Sequence, residues 1–267
     1  MPFVASQGRR IYYERHGAGP AVLFLHGAGS NAATWWQQLP AFSARHTCLT
    51  MDIRCFGRSV APLQEFSLAV FVADVLAVLQ REEQQRVAVI GQSLGGMVGL
   101  RLALEHPGRV AAFVACDSSL AIEHALLLET IRQRQVTHQA VSIEERSLGK
   151  WFLASHPEKA ALYAQINRFN PSAHAIPQPE WGQALAGAIG PDHRVPMEAL
   201  RRVAAPTLLL VGSEDPIVPV AVMREVQALV AGSELQVVEA AGHSAYFEKP
   251  QDFNRLVLDF IARRAAY

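Results

Sequence analysis

Arg86-Val87-Ala88-Val89-Ile90-Gly91-Gln92-Ser93-Leu94-Gly95-Gly96-Met97 carries two periodicities across one corner. The run ending at Ile90 is continuously apolar and reads as a strand, and from Met97 to His106 the apolar residues fall at helical spacing. Between them stands Ser93, with a glycine two residues away on each side. A strand that turns into a helix this quickly forces the serine backbone into a strained conformation and pushes its hydroxyl out of the corner. A Cβ at Gly91 or Gly95 would then collide with the adjoining strand or helix, so glycine is needed at both positions.

Working outward, three further segments fit the same site. His26-Gly27-Ala28-Gly29 follows the apolar run Ala21 to Leu25. Asp215 lies in Gly212-Ser213-Glu214-Asp215-Pro216, past the run Pro206 to Val211, and His243 lies in Ala241-Gly242-His243-Ser244, past Leu235 to Glu239. The order is serine, aspartate, histidine, each at the downstream end of a strand. In an open parallel sheet those ends converge on one edge, where ligands bind.

Other segments extend the pattern. Arg10 to Arg15, Thr47 to Met51 and Val110 to Cys116 read as strands. Runs apolar on both faces point to a parallel sheet covered on both sides. Phe71, Val75, Val78 and Leu79 mark one helical stripe; Met97, Leu100 and Leu104 mark another, stopped by Pro107. Ala221 to Val230 and Phe253 to the C-terminus add two more helices. The alternation predicts an α/β fold, doubly wound about a mostly parallel central sheet. It breaks between Leu120 and Pro196, a stretch of helical composition holding Trp151, Phe152, Tyr163, Phe169 and Trp181, with prolines at 171, 177, 179, 191 and 196.

These motifs, together with Asp52-Ile53-Arg54-Cys55-Phe56-Gly57-Arg58-Ser59, make the chain resemble the α/β-hydrolase family, and within it the small lidded esterases and enol-lactonases. The resemblance implies a triad of Ser93, Asp215 and His243, the three residues that the strand ends also pick out. It implies a hydrolase core over residues 1–119 and 197–267, with residues 120–196 as a helical cap. It also implies that His26 braces its turn. The family often has glycine where this chain has Cys55.

Bulk properties exclude several classes. The chain has 267 residues, half of them apolar, enough for one substantial core. Lys+Arg and Asp+Glu number 24 each, so no net field gathers nucleic acid or an anionic membrane. Met1 to Gly8 lacks the pattern of a secretory signal, and no apolar run approaches a membrane span. Cys48, Cys55 and Cys116 are odd in number and widely spaced, which argues against a disulfide framework or a metal site. The expected compartment is the cytoplasm, and the expected partner is a small molecule.

In the expected chemistry His243 takes the proton of Ser93, and Asp215 holds the imidazole in the right tautomer. Glu214 and Asp117 are competing carboxylates, with Asp215 in the commoner turn. The backbone N–H groups of Leu94, at the start of a helix, and of Ala28 would stabilise the oxyanion. Candidate walls of an apolar pocket are Trp35, Trp151, Phe152, Ile217 and Val218, with at most one of Trp35 and Trp36 pointing inward. No cofactor or metal is required. The leading reaction is hydrolysis of a small carboxylic ester or lactone. Its alternatives are carbon–carbon hydrolysis of ring-cleavage diketones, cofactor-free perhydrolysis, and ligand reception by a retained hydrolase shell.

Overall fold

The computed structural model describes residues 3–137, 142–169 and 178–267; Pro171 and Pro177 of the proline cluster lie outside them. Eight strands form one sheet: β1 (Phe3–Ser6), β2 (Arg9–His16), β3 (Ala21–Leu25), β4 (Thr47–Met51), β5 (Val87–Gln92), β6 (Val110–Cys116), β9 (Thr207–Gly212) and β10 (Glu234–Val238). Their order is β1-β2-β4-β3-β5-β6-β9-β10. Pairing is antiparallel from β1 to β2 and from β2 to β4, and parallel from β4 through β10. The expected sheet is present. The sequence reading missed β1, a four-residue edge strand.

The sheet divides the core by the alternation of its side chains. Leu23, Leu25, Val87 and Val89 face one layer, with the stripe Phe71, Val75, Val78 and Leu79 of the helix Leu68–Arg81. Val22, Phe24, Ala88 and Ile90 face the other, with Phe42 and with Phe253, Val257 and Phe260 of the helix Pro250–Arg264. Every residue of β3, β4, β5, β6 and β9 is buried, as strands covered on both faces must be.

After β6 the chain leaves the sheet through left-handed residues Asp117, Leu120 and Ala121. It runs through helices Ala125–Thr137, Ile143–Ser147, Lys150–Ser155, Pro157–Arg168 and Gln178–Ala188. A two-stranded parallel ribbon joins its two ends, β7 (Ile122–Glu123) pairing with β8 (Val195–Pro196).

Arg54, which precedes Cys55, anchors the loop after β4. Its guanidinium is buried and bonds Asp74 in a bidentate fork at 2.7 and 2.9 Å, and Ser6 O at 2.9 Å. Arg54→Met is expected to destabilise the fold by about 3–5 kcal/mol, because it takes the guanidinium from the buried Asp74 carboxylate and leaves that charge to the Ser6 side chain. Chemical denaturation of the variant measures this, and a loss below about 1 kcal/mol would refute the anchoring role.

Candidate active site

Past the end of β5, Ser93 takes φ 49° and ψ −111°. An L-residue holds such a conformation only where its surroundings impose it. Here its N–H donates to Cys116 O at the end of β6 (3.0 Å), and its carbonyl accepts from Ser118 Oγ (2.7 Å). A Cβ on Gly91 would lie 2.3 Å from Gly95 O, and one on Gly95 would lie 2.1 Å from Leu25 O. Both are backbone atoms, so both glycines are required.

His243 Nε2 lies 3.0 Å from Ser93 Oγ. Its Nδ1 lies 2.9 Å from Asp215 Oδ2 and 3.1 Å from Oδ1. An ionised carboxylate only accepts, so Nδ1 carries the ring proton and Nε2 keeps a lone pair for the hydroxyl. Asp215 Oδ1 also accepts from the N–H groups of Ile217 (2.7 Å) and Val218 (3.1 Å), which pins the carboxylate. The three residues therefore meet. Glu214 is exposed, and its N–H donates to Ala241 O.

Asp117 is buried behind the site. Its oxygens accept from the N–H groups of Gly212 (2.8 Å) and Ala245 (2.9 Å) and from the Cys116 thiol (3.2 Å), not from the imidazole. Burial first, then the charge of Asp215, pushes its carboxyl up from 3.8 to about 7. A raised carboxyl keeps its proton in the folded chain at pH values where the unfolded chain has released it. The stability it contributes is complete below pH ~4 and is lost as pH rises through about 7. The stability difference between wild type and Asp117→Asn is therefore expected to shrink or reverse from pH 4 to pH 8 in urea unfolding. Parallel curves would contradict this.

The histidine loop is held by acceptors from elsewhere. The N–H groups of Gly242 and Ser244 go to Glu248 Oε1 (2.9 and 3.3 Å), that of His243 to Ser147 O (2.7 Å), and that of Ala245 to Asp117 Oδ2 (2.9 Å). Gln92, beside the serine, donates through Nε2 to His243 O at 2.8 Å. The sequence reading assigned no part to Gln92, Ser147 or Glu248. Gln92 and Ser147 meet the histidine loop from far along the chain, and Glu248, though near Gly242 and Ser244, also reaches Gly149, 99 residues away; only Gln92's position next to Ser93 could have drawn notice.

The loop after β3 lies against the serine, since a Cβ on Gly27 would lie 2.0 Å from Gln92 Oε1 and 3.3 Å from Ser93 Cβ. His26 braces this loop: Nδ1 donates to Gly27 O (2.7 Å) and Nε2 accepts from Ile53 N–H (2.9 Å), while burial lowers its pKa. Asp52 orders the neighbouring loops by accepting from Ala32 N–H (2.7 Å) and Arg58 N–H (2.8 Å). Asn31 reaches the insertion, donating to Ile166 O (2.9 Å) and Phe169 O (3.1 Å). Ala28 is exposed at the loop tip, and Leu94 opens the helix Leu94–Glu105, where an N–H has no carbonyl four residues back.

Three proposed wall residues have other duties. Trp35 is fully buried in the core on Phe24, Tyr246 and Phe253, with ring centroids 5.2, 4.6 and 6.4 Å away, while Trp36 faces outward. Phe152 is buried against Phe247 at 6.2 Å and joins the insertion to the core. Trp151 is 44 % exposed, with the Lys249 ammonium 3.5 Å from its ring centroid. Aromatic side chains of this size are drawn to the largest apolar contact available, which here is core packing or a surface cation. Val218 is buried and serves Asp215 through its N–H, with Ile217 beside it half-buried.

Cys55 adopts φ 72°, is buried, and has its thiol pushed up to about 12 by burial, which makes it a poor nucleophile. Cys48 and Cys116 are also buried thiols. Among the described residues no group of His, Cys, Asp and Glu could hold a metal ion, and no helix is long and apolar enough to cross a membrane.

The family model described as alpha/beta hydrolase fold matches residues 20–250. The chain belongs to that family. This α/β-hydrolase is 30% identical over 271 residues to a putative carbamate hydrolase, RutD, of Variovorax paradoxus, covering 96% of this chain and 97% of the relative. It is 26% identical over 242 residues to 3-oxoadipate enol-lactonase 2 of Acinetobacter baylyi, covering 89% and 87%. Among solved structures, Est816, described as an N-acyl homoserine lactone degrading enzyme, superposes with a TM-score of 0.81 at 26% identity, over 97% of this chain and all of the other. The chain is an enzyme of the α/β-hydrolase class, with hydrolase relatives.

Proposed function

We propose that this hydrolase cleaves a small carboxylic ester or lactone through an acyl-enzyme on Ser93. The observation that carries the reading is the unbroken line from Ser93 Oγ to His243 Nε2 (3.0 Å) and from Nδ1 to Asp215 (2.9 Å). Ser93 Oγ attacks the carbonyl carbon as Nε2 takes its proton. The oxyanion accepts from the N–H groups of Leu94 and Ala28. Collapse breaks the bond to the leaving oxygen, which receives the proton from Nε2; in a lactone that oxygen stays tethered to the acyl group. Water then gives a proton to Nε2, attacks the ester on Ser93, and releases the acid as the serine regains its hydrogen. No cofactor enters any step.

Residues 120–196 serve in this reading as a cap. Support comes from their contacts with both sides of the site, Ser147 and Gly149 on the histidine loop and Ile166 and Phe169 on Asn31. The enol-lactonase and the N-acyl homoserine lactone degrading enzyme among the relatives favour a lactone or ester. The carbamate hydrolase relative adds a carbonyl substrate that the same serine would open.

The test is turnover on a panel of esters, lactones, carbamates and vinylogous diketones, with mass analysis of the Ser93 peptide during turnover. Ester or lactone hydrolysis with an acylated Ser93 is expected. Preference for the diketones would replace the reading with carbon–carbon hydrolysis. Binding without turnover would replace it with a receptor.

A further inference from the structure

Glu248 lies five residues past His243, at the end of the short helix Ala245–Glu248, and is buried. Its two carboxylate oxygens accept from three backbone N–H groups on two segments. Oε1 takes Gly242 (2.9 Å) and Ser244 (3.3 Å), which flank His243. Oε2 takes Gly149 (2.8 Å), in the insertion. Among the described residues no salt bridge involves it. The two segments touch backbone to backbone: a Cβ on Gly242 would lie 2.4 Å from Gly149 N and 2.7 Å from Leu148 C. Two residues before Gly149, Ser147 O takes the N–H of His243 itself (2.7 Å), and Tyr163 Oη lies 3.0 Å from Ser244 Oγ.

We propose that Glu248 is a positioning residue, whose carboxylate sets the His243 loop and the neck of the insertion against each other, so that imidazole placement and insertion docking are one structural variable. The proposal rests on the Ser93–His243–Asp215 reading. Two acceptor oxygens are needed to serve both segments. A glutamine supplies one, and its NH2 group must face at least one of the three N–H donors. The loop then shifts, and with it Nε2. Displacements near 1 Å cost on the order of 100-fold in rate.

The experiment compares Glu248→Gln with wild type, with kcat normalised to sites titrated by a serine-directed phosphonate. A merely structural role lowers the number of titratable sites and leaves turnover per site alone. Positioning lowers kcat per titrated site, here by ~10–100-fold, with KM changed less than about threefold. Turnover per site within twofold of wild type overturns the proposal. Should Glu248→Gln fail to fold, Gly149→Ala decides. Its backbone is ordinary (φ −66°), and the added Cβ would lie 2.8 Å from Glu214 Oε2, the end of an exposed side chain that can swing aside, and 3.0 Å from Gly242 N and 3.1 Å from Glu248 Oε2, a wedge between the two segments. Its kcat per site is expected to fall several-fold, and an unchanged value overturns the proposal. If wild type takes up no phosphonate, the serine reading fails by itself. Hydrogen exchange at Gly149, Gly242 and Ser244 then judges the clamp: joint acceleration in whichever variant folds supports it, and unchanged protection overturns it.

Discussion

Ser93→Ala is expected to cut ester or lactone turnover by ~10⁴-fold or more while the melting temperature shifts by less than about 4 °C. The two effects separate because the serine's structural bonds belong to its backbone. Its N–H donates to Cys116 O and its carbonyl accepts from Ser118 Oγ, and alanine keeps both. Alanine also keeps the Cβ, so the strain of φ 49° neither grows nor relaxes. What disappears is the hydroxyl and its single bond to His243 Nε2, worth about 1 kcal/mol in stability. Residual catalysis would come from the oxyanion donors acting on a water held by His243. Steady-state kinetics and a thermal melt on the same preparation measure both quantities. Turnover within tenfold of wild type would remove Ser93 from the chemistry, and loss of the fold would reassign it to the turn.

The parts of this molecule that could be read in the chain are those written in local order. Ala21 to Leu25 announces a doubly covered strand because five adjacent side chains must all be buried, and they are. Ser93 and Asp215 stand out because each follows such a strand, and His243 because it follows the half-buried strand Glu234–Val238; parallel pairing brings the three strand ends to one edge. The antiparallel start escaped notice because Phe3–Ser6 is short and half-exposed, with too few residues to establish a period. Aromatic residues misled for a different reason. Trp35 and Phe152 are as suited to a core as to a pocket wall, and only the fold shows Phe24 and Tyr246 waiting for the first and Phe247 for the second. Gln92, Asn31 and Glu248 act on backbone groups 151, 135 and 99 residues away, pairings that no window of sequence contains.

Asp215→Asn is expected to lower turnover by about 10³–10⁴-fold, and Asp117→Asn by less than about tenfold. Both carboxylates end strands on the same edge, and what separates them is the group each one holds. Asp215 Oδ1 accepts from the N–H groups of Ile217 and Val218, so an asparagine there must turn its carbonyl oxygen toward those two donors. Its NH2 then occupies the place of Oδ2, 2.9 Å from His243 Nδ1. A donor at that point requires Nδ1 to accept, which moves the ring proton to Nε2, where it blocks removal of the serine proton. The shape survives and the tautomer is wrong. Asp117 bonds only the N–H groups of Gly212 and Ala245 and the Cys116 thiol, so its asparagine surrenders one backbone acceptor and leaves the imidazole's proton where it was. A low-field proton NMR signal from the Nδ1–H is expected in wild type; it should vanish in Asp215→Asn and persist in Asp117→Asn, in step with the rates. Equal losses in the two variants, or the larger loss in Asp117→Asn, would transfer the acid's role from the strand before Asp215 to the one before Asp117.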